Sequence, residues 1–241
     1  MEILITICAR GGSKGIPGKN IKVLNGKPLI YYSLDTASRF SALLGQADII
    51  LSTDDAEIKG VVDTLSFPVD TSYTRPDFLA SDTAGKIDAI QDVIQYAEAT
   101  KNKSYDYIID LDVTSPLRTV NDLQEALNAL LAHPDAYNIF SVSPANRNPY
   151  FNMVEEGKNG YFTTCKTGAF LTRQSAPKVY DMNASFYIYR AAFFRDGQKK
   201  AITEKSLVYE VPHLCFDLDH PVDFTMMSLM MEHQLLGFDL S

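Results

Sequence analysis

Between Arg10 and Lys19 the chain places four glycines, one proline and three cations in ten residues, directly after the apolar run Ile3–Cys8. Glycines let backbone N–H groups approach phosphate oxygens closely, and Arg10, Lys14 and Lys19 carry charge that neutralises them. The stretch reads as the triphosphate-holding loop of a nucleotidyltransferase, with a mobile basic surface loop as the alternative. Two well-known phosphate loops are excluded. A Walker A loop would need glycine where Ser13 stands and a hydroxyl where Asn20 stands. The spacing of Gly11, Gly12, Gly15 and Gly18 does not fit G-x-G-x-x-G, and Lys14 and Lys19 would crowd a dinucleotide's pyrophosphate.

Acidic residues form the complementary constellations. Asp217 and Asp219 are two apart in a segment read as extended, which puts both side chains on one face, roughly 6–7 Å apart at Cα. Such a pair is either solvated or bound to one or two Mg2+ ions, because two buried like charges without a cation are costly. Asp110 and Asp112 end another apolar run, where a carboxylate serves as a metal or substrate ligand or as a turn cap. Arg75, before Pro76 in a polar loop, is either a surface ion pair or an anion ligand. His133 and His233 read as surface residues, whereas His213 and His220 lie nearer the acidic pair. No Ser–His–Asp or Cys–His arrangement is readable.

The elements that must position these groups alternate strand and helix. Strand 3–8 is followed by a short stretch turned by Asn25-Gly26 and a helix over 29–40. A strand at 47–54 leads into a helix starting near Asp54–Glu57. An irregular polar segment spans 74–86, with Asp82 or Thr83 available to cap a helix at 86–101. A strand at 107–113, a helix at 121–132 and a strand at 138–144 follow. This alternation predicts an α/β fold with a parallel sheet and right-handed crossovers, in which ligands bind beyond the carboxyl ends of the strands. From 145 to 182 the pattern changes to Asn, Pro, Gly and aromatic residues between short extended runs. That predicts an inserted hairpin or arm, and an arm unable to bury itself predicts a homodimer. Strand character returns at 183–190. A final helix over 221–236 is expected to pack Phe224, Met227, Met230, Met231 and Leu235 in the core, with Asp223 capping it.

The 241 residues, 46% of them hydrophobic, support a single domain over 1–241 with a small insertion. Net charge −8, from 22 basic against 30 acidic residues, argues against nucleic-acid binding and for a small anionic ligand at the local cations. Three widely spaced cysteines make neither a disulfide framework nor a zinc spacing, which points to a reducing cytoplasm. No membrane span and no signal peptide are expected.

Taken in order, Ala9–Asn20, Ser52-Thr53-Asp54, Arg75-Pro76 with Leu79–Ala84, Thr114-Ser115-Pro116-Leu117-Arg118, Asn183 and Asp217-Leu218-Asp219 closely resemble the acylneuraminate cytidylyltransferases, over essentially the whole chain. The resemblance implies a Rossmann-like, three-layer nucleotidyltransferase fold with a mostly parallel sheet and a small dimerisation element. It also implies a reaction joining CTP and a nine-carbon 2-keto sugar acid, with Mg2+, to give the CMP-sugar and pyrophosphate. By matching position, Arg10, Gly11, Ser13, Lys14, Lys19 and Asn20 hold the nucleotide and its phosphates, and Arg75 and the Ala84 backbone border the nucleoside. Asp217 and Asp219 bind metal, and Asp219 can also take the hydroxyl proton. Ser115, Arg173, Asn183 and Tyr187 fall near the nucleotide or sugar, Arg173 reaching the other subunit's site. Two departures stand out. Asp112-Val113 replaces the Gln-Pro usual in sialic acid-specific members, at a position facing the sugar, as in a subgroup associated with flagellin or surface-glycan modification and legionaminic acid. Lys86 replaces a small hydroxyl residue near the cytosine site, so base contacts are expected to differ. The related 3-deoxy-manno-octulosonate cytidylyltransferases and a non-catalytic nucleotide-binding homologue are the competing readings.

Overall fold

A computed structural model describes residues 1–12 and 15–240. The first apolar run is strand β1 (Ile3–Cys8). After the glycine-rich loop and a 3-10 turn at Lys19–Ile21 come β2 (Val23–Leu24) and β3 (Lys27–Pro28). These pair through the two-residue turn Asn25-Gly26, both residues having positive φ (48° and 79°). Then follow α1 (Leu29–Leu44), β4 (Asp48–Ser52), α2 (Ala56–Thr64), α3 (Asp77–Ala80), α4 (Lys86–Lys101), β5 (Tyr107–Asp112), α5 (Val120–Ala132) and β6 (Asn138–Pro144). The arm contributes β7 (Val154–Glu156) and β8 (Phe162–Thr164). The chain closes with β9 (Tyr180–Arg190), α6 (Ala191–Arg195), β10 (Ser206–Glu210) and α7 (Pro221–Glu232).

Six strands form one sheet in the order β10-β6-β9-β5-β1-β4. Strands β4 and β5 pair parallel to β1, β10 pairs parallel to β6, and β9 runs antiparallel between β5 and β6. Both faces are covered, so alternate residues of β1 and β5 enter two cores. Ile3, Ile5, Ile7, Ile109 and Leu111 pack under α1, α5 and α7, whereas Leu4 and Ile108 pack under α4 and α6. Along the α4 face the apolar pattern breaks at Thr6, Cys8, Asp110 and Asp112, the C-terminal halves of the two central strands. Among the described residues, no helix is long and apolar enough to cross a membrane.

Several boundaries differ from the sequence expectation. Helix α1 runs on to Leu44 and stops at Gly45, whose φ of 84° suits glycine. Helix α4 starts at Gly85 with no side-chain cap, so neither Asp82 nor Thr83 caps it. Helix α2 begins as expected, Asp55 accepting from the Glu57 and Ile58 amides. Strand β9 starts at Tyr180, inside the stretch assigned to the arm, because residues 180–182 continue the pairing with β6. The segment 211–220 is not a strand; the strand is β10, just before it. Helix α7 ends at Glu232, which leaves Leu235 exposed and only Phe224 and Met227 fully buried among the expected core residues. Asp223 caps α7 as expected, accepting from the Asp219 and His220 amides. His213 instead bonds Asp122 at the start of α5 and stacks on Phe238, with ring centroids 3.9 Å apart.

Arg118 bolts the β5–α5 connection in place. Its guanidinium is 1% exposed and donates to the carbonyls of Asp112, Ser115 and Ser185 and to the hydroxyls of Ser33 and Ser185. Burial lowers its pKa to about 10, so it stays charged at neutral pH. Arg118→Met removes all five donations and leaves buried acceptors unpaired. It is expected to cost about 3–5 kcal/mol in urea unfolding, and Arg118→Lys, which lacks the fork, most of that.

Candidate active site

The carboxyl ends of β4, β1 and β5 lie side by side, with Cys8 in register with Ser52 on one flank and Asp112 on the other. A cavity of 430 Å3 opens above them. Its wall includes Arg10, Gly15, Lys19, Asn20, Arg75, Ala84, Asp112 and Asp219, so one space gathers eight residues singled out in the sequence. A larger cavity of 650 Å3, between Tyr31 and the C-terminal residues 234–240, contains none of them.

The glycine-rich loop closes onto the Asp217–Asp219 segment. Lys19 Nζ donates to the Leu218 carbonyl at 2.7 Å and lies 3.6 Å from Asp219 Oδ1. A Cβ on Gly15 would sit 2.4 Å from the Asp219 carbonyl oxygen, so only glycine permits this approach. Asn20 is buried and donates to the Arg10 carbonyl, fixing the loop's base. Arg10 reaches across to Asp82 Oδ1 at 2.8 Å and the Ala80 carbonyl at 3.3 Å. Ser13 and Lys14 lie outside the described residues.

Gly11 differs from its expected part. Its N–H donates to Asp54 Oδ1 at 2.8 Å, and a Cβ there would meet Asp55 Oδ2 at 2.9 Å. Here the missing side chain serves close packing on the start of α2. The Ala84 N–H is likewise spent on the Ser81 carbonyl at 3.2 Å. Arg75 is 5% exposed, and its Nε and Nη2 bond the Ser52 hydroxyl and carbonyl. Of the two readings open for Arg75, the surface ion pair is therefore the one that fails.

Ser115, Arg173, Asn183 and Tyr187 do not line this cavity. Ser115 is fully buried and donates to the Asn183 carbonyl, while Asn183 Nδ2 donates to Ser143, so both tie β9 to its neighbours. Arg173 is exposed on the arm and bonds the Asn146 carbonyl. Tyr187 stands behind the wall, its ring 5.3 Å from Lys86 Nζ.

Lys86 ties the two sequence departures together. Its ammonium lies 2.7 Å from both Asp110 Oδ2 and Asp112 Oδ2. Asp110 is fully buried and accepts from Thr6 through Oδ1, and among the described residues Oδ2 faces no charged group other than this ammonium. Asp112 Oδ1 accepts from the Thr114 amide and hydroxyl, both at 2.8 Å. Burial alone would depress the Lys86 pKa, but the two carboxylates outweigh it and hold the amine charged. Burial likewise opposes Asp112 ionisation, and Lys86 with the Thr114 bonds overcomes it, taking the carboxyl to about 2. Burial, then the charge of Asp110, pushes the Cys8 thiol up to about 12, so it is no nucleophile at neutral pH. Lys86 was legible in sequence only as a departure; that Asp110 and Asp112, two apart on one strand, share a face was the available signal for a cationic partner.

Asp217 is the frustrated member of the acidic group. Burial, then the charges of Asp112 and Asp219, raise its carboxyl to about 7. A cation would relieve that repulsion, and carboxylate oxygens suit a hard ion such as Mg2+. Among the described residues, no three of His, Cys, Asp or Glu converge tightly enough to hold a metal alone, so substrate oxygens would have to complete the shell.

An α/β sheet with a cationic, glycine-rich loop and a carboxylate pair at its carboxyl edge defines a nucleotide-handling enzyme. The chain belongs to the Cytidylyltransferase family, which matches residues 4–212. It is 36% identical over 235 residues to post-translational flagellin modification protein B of Campylobacter coli, covering 98% of this chain and 97% of that one. It is 35% identical over 229 residues to a CMP-N,N'-diacetyllegionaminic acid synthase of Campylobacter jejuni, covering 95% and 94%. An N-acylneuraminate cytidylyltransferase of Streptococcus agalactiae is 27% identical, covering 93% of this chain and 52% of that one. The fold matches a CTP-complexed CMP:2-keto-3-deoxy-manno-octonic acid synthetase, with TM-score 0.68 at 17% identity over 97% of this chain and all of that one.

Asp217 generates a pH test. The folded protein holds this proton up to about pH 7, whereas the ordinary value is 3.8, so without metal the folded state gains stability as pH falls from 7 towards 4. In EDTA, the melting temperature is expected to fall between pH 6 and 8, and Asp217→Asn to flatten that slope. Mg2+ is expected to raise the melting temperature more at pH 8 than at pH 6, because it competes with that proton.

Proposed function

We propose that this chain joins CTP to a nonulosonic acid, giving the CMP-sugar and pyrophosphate by attack of the anomeric hydroxyl on the α-phosphate. The observation that carries the reading is the closure of the loop onto the acidic segment, Lys19 on Leu218 and Gly15 against Asp219, at the edge of the 430 Å3 cavity. The hydroxyl must approach a phosphorus already surrounded by negative charge, so positioning and charge relief are the main demands. Arg10 and Lys19 face the phosphates, and Arg10 exchanges Asp82 for a phosphate oxygen when the nucleotide binds. Lys19, braced on the Leu218 carbonyl, stays in place. Asp217 and Asp219 would hold Mg2+, which when bound supplies further charge relief at the phosphates. Asp219, exposed at the cavity edge, accepts the hydroxyl proton.

Legionaminate or a close relative is the favoured sugar. The similarity to the legionaminic acid synthase (35%) exceeds that to the N-acylneuraminate enzyme (27%), and Asp112 and Lys86 depart together from the sialic acid pattern. The arm exposes Phe151, Met153, Tyr161, Phe162 and Leu171, an apolar surface suited to a second copy, which would bring Arg173 towards the partner's site. Three free cysteines suit the reducing cytoplasm, where CTP is made.

Pyrophosphate release from CTP, measured with N,N'-diacetyllegionaminate, N-acetylneuraminate and 3-deoxy-manno-octulosonate, tests the proposal. Turnover with a nine-carbon acid is expected. Release with the eight-carbon acid alone would select the competing activity, and no release with any acid would leave a non-catalytic nucleotide binder. Asp219→Asn is expected to lower kcat at least about a hundredfold. Near-normal turnover would show that the metal and base lie elsewhere.

A further inference from the structure

We propose that Lys86 is a specificity-determining residue: with Asp112 it forms a donor–acceptor couple that takes two adjacent hydroxyls of the acceptor sugar. The inference rests on the transferase reading above and names what part of the acceptor this wall recognises.

The three adjacent strand ends divide the cavity floor. Neighbouring strands lie about 4.8 Å apart, so Ser52 and Asp112, on either side of Cys8, stand about 10 Å apart. At the β4 end, Arg75 is fixed on Ser52, and the apolar part of the cavity wall, Leu79 and Ala89, suits the faces of a base. At the β1 end the cationic loop takes the phosphates. The joining reaction needs its two partners on either side of the α-phosphate, which leaves the β5 end, with Asp112, Lys86 and Thr114, for the acceptor.

The charge at that end restricts what it can bind. Two carboxylates against one ammonium leave a net charge of −1, with Asp217 nearby. Such a wall repels a phosphate and the acceptor's own carboxylate, and suits its uncharged, hydroxylated portion. The hydrogen-bond inventory agrees. Lys86 has three N–H donors, of which one is given to Asp112 and the ammonium also pairs electrostatically with Asp110, and 34% of its side chain remains open. Asp112 Oδ1 is filled by Thr114, whereas among the described residues Oδ2 has Lys86 alone and keeps one acceptor position. A remaining N–H and the remaining acceptor position thus flank the 2.7 Å bond between Lys86 and Asp112, and two adjacent hydroxyls satisfy both, one accepting from Nζ and the other donating to Oδ2. An acceptor lacking that hydroxyl pair leaves a part-buried donor and a part-buried acceptor position unfilled, which is the situation that rejects analogues most strongly.

Lys86→Met alone would bury Asp110 and Asp112 without a cation and risks unfolding. Lys86→Met combined with Asp110→Asn keeps the wall at −1 and keeps Asp112 in place. In that double variant KM for the accepted sugar acid is expected to rise at least about tenfold, while the CTP dissociation constant, titrated without sugar, stays within about twofold. If the double variant fails to fold, Asp112→Asn, which retains the Lys86–Asp110 pair and the Thr114 bonds, is expected to show the same split. CTP affinity falling as much as sugar KM rises would place the couple against the base and overturn the proposal, as would an unchanged sugar KM. A wild-type enzyme that releases pyrophosphate with no sugar acid would instead overturn the transferase reading itself.

Discussion

A single ammonium held between two carboxylates organises the working edge of this sheet. Asp110 is fully buried on the α4 face of β5, where an uncompensated charge would be prohibitive. Lys86, at the first turn of α4, supplies the countercharge and so fixes how that helix begins. The same ammonium orients Asp112, whose other oxygen is taken by the Thr114 turn. The helix start, the strand end and the turn after it are thereby one electrostatic unit, and the cavity floor has a fixed shape before any ligand arrives.

Two arginines extend that rigidity outward by different chemistry. Among the described residues, Arg118 and Arg75 have no carboxylate partner close enough for an ion pair; their guanidinium groups satisfy carbonyls and hydroxyls at the ends of β5, β9 and β4. A planar fork with several fixed donors suits this task, and a lysine would leave acceptors unfilled. The described residues of the loop are held by single contacts: Lys19 and Asn20 each on one carbonyl, Arg10 on Asp82 and the Gly11 amide on Asp54.

Much of this was legible in the chain. The alternation of apolar strands and helices is dictated by side-chain periodicity, so the elements, the mostly parallel sheet and its two-sided core followed from residue order. The motif residues Arg10, Lys19, Asn20, Arg75, Ala84, Asp112 and Asp219 line one cavity, because they sit at carboxyl ends of strands or in the loops beyond. Ser115 and Asn183, expected near the nucleotide or sugar, bond neighbouring segments, and a buried polar side chain in a motif reads the same whether it bonds a substrate or a neighbouring strand. Leu235 failed because helical periodicity carries no information past the residue where the helix stops.

The sequence by itself determined which chemical groups are present and which strand ends carry them, since both are properties of residue type and local periodicity. Only the tertiary structure decided the pairings: Lys86 with Asp110 and Asp112, Arg10 with Asp82, Lys19 with Leu218, Gly15 against Asp219. Those contacts join residues from 24 to 204 positions apart, and their strength depends on burial and on distances of a few ångströms. Neither quantity exists until the chain has folded, which is why two isolated departures in the sequence became one ion pair in the structure.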